Sequence, residues 1–140
     1  MKIRYLKLKN WLYVTFAGLL GVNLSCTKEP MALEYGTPEA TYRVLGKVTD
    51  DEGKPIDGIQ VEMYGSKDTT DVNGAYNVSC RVIPYDTMTV EYCDIDSTAN
   101  GLYADTSVAV SFREAPYIGG DGHWYSGTAT VVQNVKLKMK

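Results

Sequence analysis

Gly46-Lys47-Val48-Thr49-Asp50-Asp51-Glu52-Gly53-Lys54-Pro55-Ile56-Asp57-Gly58-Ile59-Gln60-Val61, followed by Thr69-Thr70-Asp71-Val72-Asn73-Gly74-Ala75-Tyr76-Asn77-Val78, is the stretch from which the fold can be read. Apolar residues recur at every second position on either side of two turn signals. Tyr42, Val44, Gly46 and Val48 alternate with Arg43, Leu45, Lys47 and Thr49. Asp50 to Pro55 then breaks the pattern with acids, a glycine and a proline. Ile59, Val61 and Met63 alternate with Gln60, Glu62 and Tyr64 before Asn73-Gly74, a pair suited to positive φ. Period two means one face in and one face out, so each run predicts a half-buried strand.

The same period continues outward. Tyr76, Val78 and Cys80 precede a loop through Pro84; Met88, Val90 and Tyr92, then Val108, Val110 and Phe112, then Val135, Leu137 and Met139 make further alternating runs. No stretch after Cys26 has helical periodicity. Short alternating strands separated by Gly, Asn and Pro predict an all-β fold, an antiparallel β-sandwich of about seven strands, with the apolar member of each alternation facing inward. The quoted stretch resembles the carboxypeptidase regulatory-like, transthyretin-like domain, whose pattern is roughly G-x-V-x-D-x-x-G-x-P-x-x-G-x-x-V and then T-D-x-x-G-x-Y. The resemblance is close over Tyr42 to Val78 and looser beyond, and it implies a transthyretin-like sandwich over 42–140.

The N-terminus has a different character. Lys2, Arg4, Lys7 and Lys9 carry charge without an acid, Trp11 to Leu24 is apolar, and Ser25-Cys26 follows. An apolar run of about 14 residues is short for a bilayer core, which takes about 20. The basic, apolar and small-residue order is that of a secretory signal. It resembles a bacterial lipoprotein signal peptide, which implies cleavage after residue 25 and lipidation of Cys26. Asn23 and Leu24 stand where the usual pattern has Leu and a small residue, a relaxed form found among lipoproteins of the Bacteroidetes. Each buried lipid CH₂ is worth about 0.8 kcal/mol and stable anchoring takes more than one chain, a condition that a diacylated cysteine meets. Residues 26–41, with Pro30, Gly36 and Pro38, read as a tether; the 15 residues from Thr27 to Thr41 reach roughly 50 Å when extended.

Over the whole chain, the signal, Tyr35-Gly36-Thr37-Pro38 with Tyr42, the Asp94-x-Asp96…Asn100-Gly101 loop and the stretch around Trp124 resemble Bacteroidetes lipoproteins paired with a radical SAM enzyme. That resemblance implies a cell-envelope protein anchored in the outer membrane, with a radical SAM system as partner or modifying enzyme, and no defined activity.

Charge narrows the classes. The chain has 14 basic and 17 acidic residues; without the four basic residues of the signal it has 10 against 17, a net charge of −7. Such a surface does not suit nucleic acid, which is held largely by Lys and Arg on phosphates. Eleven tyrosines against two phenylalanines favour aromatics with a polar tip, fit for a half-exposed sheet or a contact surface.

Three constellations bear on chemistry. Asp94, Asp96, Asn100 and Asp105 place oxygens at a spacing that calcium loops use, although Ala99 stands where an EF-hand has glycine; the other reading is a solvated loop whose acids close turns. Cys80 and Cys93 meet an oxidising compartment after export, but Cys80 falls on the inward face and Cys93 on the outward one, out of register in a hairpin turning near Pro84. Cys80 then reads as a core residue, and Cys93 as a passive residue or an exposed thiol open to modification. His123, Trp124 and Tyr125 lie in the Gly-rich segment from Tyr117 to Tyr125, either a ligand-contacting loop or a connection whose aromatics cap the sandwich.

One histidine forbids a multi-histidine zinc site and the two-Tyr, two-His iron site of intradiol dioxygenases. The C-terminus lacks the Tyr-Arg-Gly-Ser ending of hydroxyisourate hydrolases, no serine sits in a nucleophile elbow, and no Gly-rich phosphate loop precedes a helix. The expectation is therefore a lipid-anchored, non-enzymatic interaction or structural domain. The alternative is a carbohydrate- or peptide-binding module using the Tyr117–Tyr125 loop, with a clustered exposed patch of Trp124, Tyr125 and Tyr103. A small hydrolase would need His123 beside a hydroxyl or thiol nucleophile.

Overall fold

The computed structural model describes residues 36–96, 99 and 101–140. Cys26, with the expected signal and lipid anchor, lies outside the described residues. Within them the chain forms nine strands and no helix: β1 (Glu39–Thr49), β2 (Ile59–Met63), β3 (Ser66–Thr69), β4 (Ala75–Val82), β5 (Thr87–Asp94), β6 (Thr106–Ser111), β7 (Tyr117–Gly119), β8 (Tyr125–Val132) and β9 (Val135–Lys136). They make two sheets. One has the order β4-β1-β8-β7, with β9 beside the far end of β1; the other has the order β3-β2-β5-β6. The all-β sandwich read from the sequence is the observed fold.

The alternation sets which side chains fill it. Tyr42, Val44 and Val48 of β1, Tyr76, Val78 and Cys80 of β4, and Ala129 of β8 come from the first sheet. Ile59, Val61 and Met63 of β2, Met88, Val90 and Tyr92 of β5, and Val110 of β6 come from the second, all in one buried cluster. Burying such side chains is worth about 1.5–3 kcal/mol each, before the entropy of ordering them. The rule of inward apolar members weakens at strand ends. Val108 is half-buried, and Met139, beyond the end of β9, is exposed and pairs with Tyr103 in an isolated bridge.

Several details differ from the sequence expectation. The first sheet is mixed, because β8, the second strand of the β7–β8 hairpin, runs parallel to β1, as does β9. Glu39, Ala40 and Thr41, expected in the tether, already belong to β1. The segment expected as one long connection from Tyr117 holds β7 and leads into β8 at Tyr125. The loop through Pro84 is not a hairpin turn either. β4 pairs with β1 while β5 pairs with β2 and β6, so this connection carries the chain from one sheet to the other.

Two local devices hold the frame. Asp50 and Asp71 each close a turn with one carboxylate oxygen. Asp50 Oδ1 accepts from the N–H of Glu52 (2.9 Å) and Lys54 (2.8 Å), and Asp71 Oδ1 accepts from Asn73 (2.8 Å) and Ala75 (2.9 Å). Gly53 and Gly74 take the positive φ that each turn needs (86° and 69°). The second device is a break between β8 and β9 at Gln133–Asn134. There the Gln133 carbonyl accepts from the Tyr76 hydroxyl at 2.6 Å, and Asn134 Oδ1 accepts from the Lys47 N–H at 2.9 Å. The break fits only because Gly46 lies opposite; a Cβ at Gly46 would overlap the Gln133 carbonyl oxygen.

Candidate functional site

The Asp121–Tyr125 turn repeats the Asp50 and Asp71 device. Asp121 Oδ1 accepts from the N–H of His123 (2.8 Å) and Tyr125 (2.9 Å), and these bonds hold its carboxyl below the usual aspartate range. The turn presents its three marked residues in three ways. His123 is exposed. Trp124 is half-buried, with its six-membered ring against Gly36, where an added Cβ would lie 3.1 Å from it. The Trp124 carbonyl accepts from the Glu39 N–H at 2.7 Å. Tyr125 is half-buried; its hydroxyl donates to Thr41 Oγ1 (2.9 Å) and lies 3.0 Å from Thr128 Oγ1. The Arg81 guanidinium sits 4.7 Å from the Tyr125 ring centroid while its Nε donates to Glu39 at 2.8 Å. The two hydroxyl bonds, with smaller help from Arg81 and Arg43, lower the Tyr125 phenol. Tyr103, the third aromatic of the expected patch, is buried beside Met139. Trp124 and Tyr125 thus brace the start of β1, and the three aromatics do not share an exposed surface.

The carboxylates of the candidate calcium segment serve the β5–β6 connection. Asp94 Oδ2 accepts from the Tyr103 N–H at 2.8 Å, and Asp105 Oδ1 faces the Asp94 N–H at 3.4 Å. The Asp96 carboxylate lies against Gly58, in space that a Cβ there would fill. Asn100 lies outside the described residues. Among the described residues no three His, Cys, Asp or Glu side chains are arranged to hold a metal ion.

Cys80 and Cys93 are both free. They stand on strands of different sheets, Cys80 buried on β4 and Cys93 half-buried on β5. Cys80 Sγ lies 3.9 Å from Met88 Sδ in the core, and burial pushes its thiol up. Cys93 is raised by burial first and then by Asp105, Glu91 and Glu62, which oppose a thiolate. Neither environment activates a nucleophile, which wants cationic neighbours.

The sequence did not single out the tyrosine-rich end of the sandwich. Buried Tyr42 lies there at its centre: its hydroxyl is 2.8 Å from that of Tyr117 and accepts from the Tyr85 N–H at 2.8 Å. Its ring packs edge-on against Phe112 (centroids 4.8 Å apart) and Tyr117 (6.2 Å). Burial, then the Tyr117 hydroxyl, push the Tyr42 phenol up to about 12. Beside it Tyr64 and Tyr85, both exposed, stand with ring centroids 6.0 Å apart, tilted at 45°. With Thr87, Met88 and Thr89 they line a cavity of about 330 Å³. Tyr64-Gly65 is the two-residue turn of the β2–β3 hairpin, with φ of 48° and 80°. The available signal was Met63-Tyr64-Gly65-Ser66, a glycine two residues after a strand.

No family model matches the chain, and no curated protein matches it. Among solved structures, the chain is similar to a 3-chlorocatechol 1,2-dioxygenase from Rhodococcus opacus 1CP, with 12% identity and a TM-score of 0.46. The match covers 79% of this chain and 64% of that one.

Proposed function

We propose that the protein is a lipid-anchored β-sandwich of the cell envelope, tied to the outer membrane through Cys26 and acting by interaction rather than catalysis. The observation that carries this is the order of the N-terminus. A basic segment and an apolar run end at Ser25-Cys26, and only the 12 residues from Thr27 to Pro38 separate Cys26 from the first strand. Extended, they reach about 40 Å, so a partner meets the domain near the membrane surface. An interaction role is supported by the exposed tyrosines at one end of the sandwich and by thiols whose surroundings oppose activation. The resemblance of the whole chain to lipoproteins paired with a radical SAM enzyme makes that system the proposed partner or modifying enzyme.

Metabolic labelling with an alkyne fatty acid tests the anchor. Wild-type protein should take the label and pellet with membranes, and Cys26→Ser should do neither. Equal labelling of both would sink the proposal. Intact mass of the mature wild-type protein from its native cell should show loss of residues 1–25 and gain of the lipid, and would reveal in the same spectrum any further group added by a partner enzyme.

A further inference from the structure

We propose that the cleft between Tyr64 and Tyr85 is a binding site for a neutral sugar ring. The cleft arises from a mismatch in strand length. β2 ends at Met63, which pairs with Val90, whereas β5 begins three residues earlier, at Thr87. Thr87, Met88 and Thr89 pair with β6 on one side and have no strand partner on the β2 side. The notch so formed is closed at one end by the Tyr64-Gly65 turn and flanked by Tyr85 from the connection between the sheets.

The walls suit one ligand chemistry. None of the lining residues Tyr64, Tyr85, Thr87, Met88 and Thr89 is charged, although the chain as a whole is acidic. Two phenol rings offer faces to the C–H side of a pyranose, and two threonine and two tyrosine hydroxyls offer donors and acceptors to its hydroxyls. About 330 Å³ is at the small end of ligand sites, scaled to a ring or two rather than to a polymer strand. An extended peptide is a poorer fit. It would bind by adding a strand, and the free edge is three residues long and blocked by Tyr64.

A second observation points the same way. In a two-residue turn with both φ values positive, the first position favours Asn, Asp or Gly. Tyrosine there, at φ 48°, is held in a backbone region that bulky residues avoid. The residue is 62% exposed, so packing in the core does not explain it. The strain places a phenol at the mouth of the cleft. Tyr85 is positioned independently, through its N–H bond to the buried Tyr42 hydroxyl.

The site does not depend on lipidation, so its failure would leave the anchor standing. The test uses the full chain in a zwitterionic detergent without a sugar headgroup, titrated with maltose, cellobiose and N,N′-diacetylchitobiose to about 10 mM, a range that reaches the weak end of specific affinity. Saturation-transfer NMR and calorimetry read binding. At least one disaccharide should bind, and Tyr85→Ala should weaken it tenfold or more. Tyr64→Asn is the decisive variant: it relieves the turn, so the melting temperature should hold or rise, while binding falls at least tenfold. Absence of binding by all three sugars overturns the proposal. So does sugar binding that Tyr64→Asn leaves unchanged, or capture of a proline-rich peptide in the cleft with no sugar bound.

Discussion

At the scale of single residues, the least replaceable position is Gly46. It faces the Gln133 carbonyl at the break between β8 and β9 so closely that a methyl group has no room, and the obstacle is backbone rather than a side chain that could turn away. Gly46→Ala should destabilise the fold by about 1–3 kcal/mol, the usual range for overpacking, read as a lower denaturation midpoint in urea. Tyr76 of β4 pairs directly with Gly46 of β1, and its hydroxyl serves both the Gln133 carbonyl (2.6 Å) and the Tyr92 hydroxyl (2.8 Å). Tyr76→Phe strands both partners and should cost about 1–3 kcal/mol. Tyr76→Phe with Tyr92→Phe should cost less than the sum of the two single changes, since each removes the other's partner. Additive effects in a thermodynamic cycle would refute that coupling.

At the scale of elements, what the sequence revealed depended on how strongly each strand declared its two faces. β1, β2, β4 and β5 carry large apolar side chains at alternate positions, and their inward members are the buried core. β8 was missed because Tyr125-Ser126-Gly127-Thr128-Ala129-Thr130-Val131-Val132 mixes small and polar residues with exposed Val132, and only Gly127 and Ala129 are fully buried. A strand that packs by small residues leaves little period-two signal. β3 was missed for a different reason. Ser66-Lys67-Asp68-Thr69 is an edge strand held through its backbone to β2 and by the Asp68 carboxylate, which accepts from the Asn77 N–H at 2.7 Å. The Asp-led turns were legible as turns, but not their shared design. Asp50, Asp71 and Asp121 each accept from the second and fourth N–H ahead, and the third of these turns looked like a functional loop because it is rich in aromatics. The Tyr64–Tyr85 cleft could not be read from the chain, because it depends on one strand ending before its neighbour. That difference in register involves residues more than 20 positions apart.

At the scale of the whole molecule, three of the core's phenols, Tyr42, Tyr76 and Tyr92, have their hydroxyls engaged in hydrogen bonds. Among the described residues no buried side-chain nitrogen or oxygen lacks a hydrogen-bond partner. Burial first, and then for Tyr42 and Tyr76 the partnering hydroxyl, raises the phenols of Tyr42 and Tyr76; burial also raises Tyr92, against a lowering by its bond to Tyr76. A phenol whose folded value lies above its unfolded value of 10.0 leaves stability intact below pH 10. It withdraws stability as pH climbs toward the folded value, because the unfolded chain loses its proton first. For Tyr42, rising to about 12, the loss over that window is about 3 kcal/mol. Urea midpoints should therefore begin to decline near pH 9, where the unfolded thiols of Cys80 and Cys93 lose their protons first, and fall more steeply beyond pH 10 as the phenols follow. Tyr42→Phe should start lower, having lost its bonds to Tyr85 and Tyr117, yet decline more gently with pH. A slope unchanged by that substitution would remove Tyr42 from the account.

The parallel pairing of β1 with β8 and β9 has a mechanical side. A pull on the N-terminus enters the sandwich at Glu39 and runs along β1, which has β4 on one flank and β8 and β9 on the other. With the opposing load applied at the C-terminus, parallel neighbours are dragged past one another in shear, so the bonds between them bear tension together instead of parting one after another. A domain loaded in this way would thus take the force on a central strand of a sheet rather than on an edge.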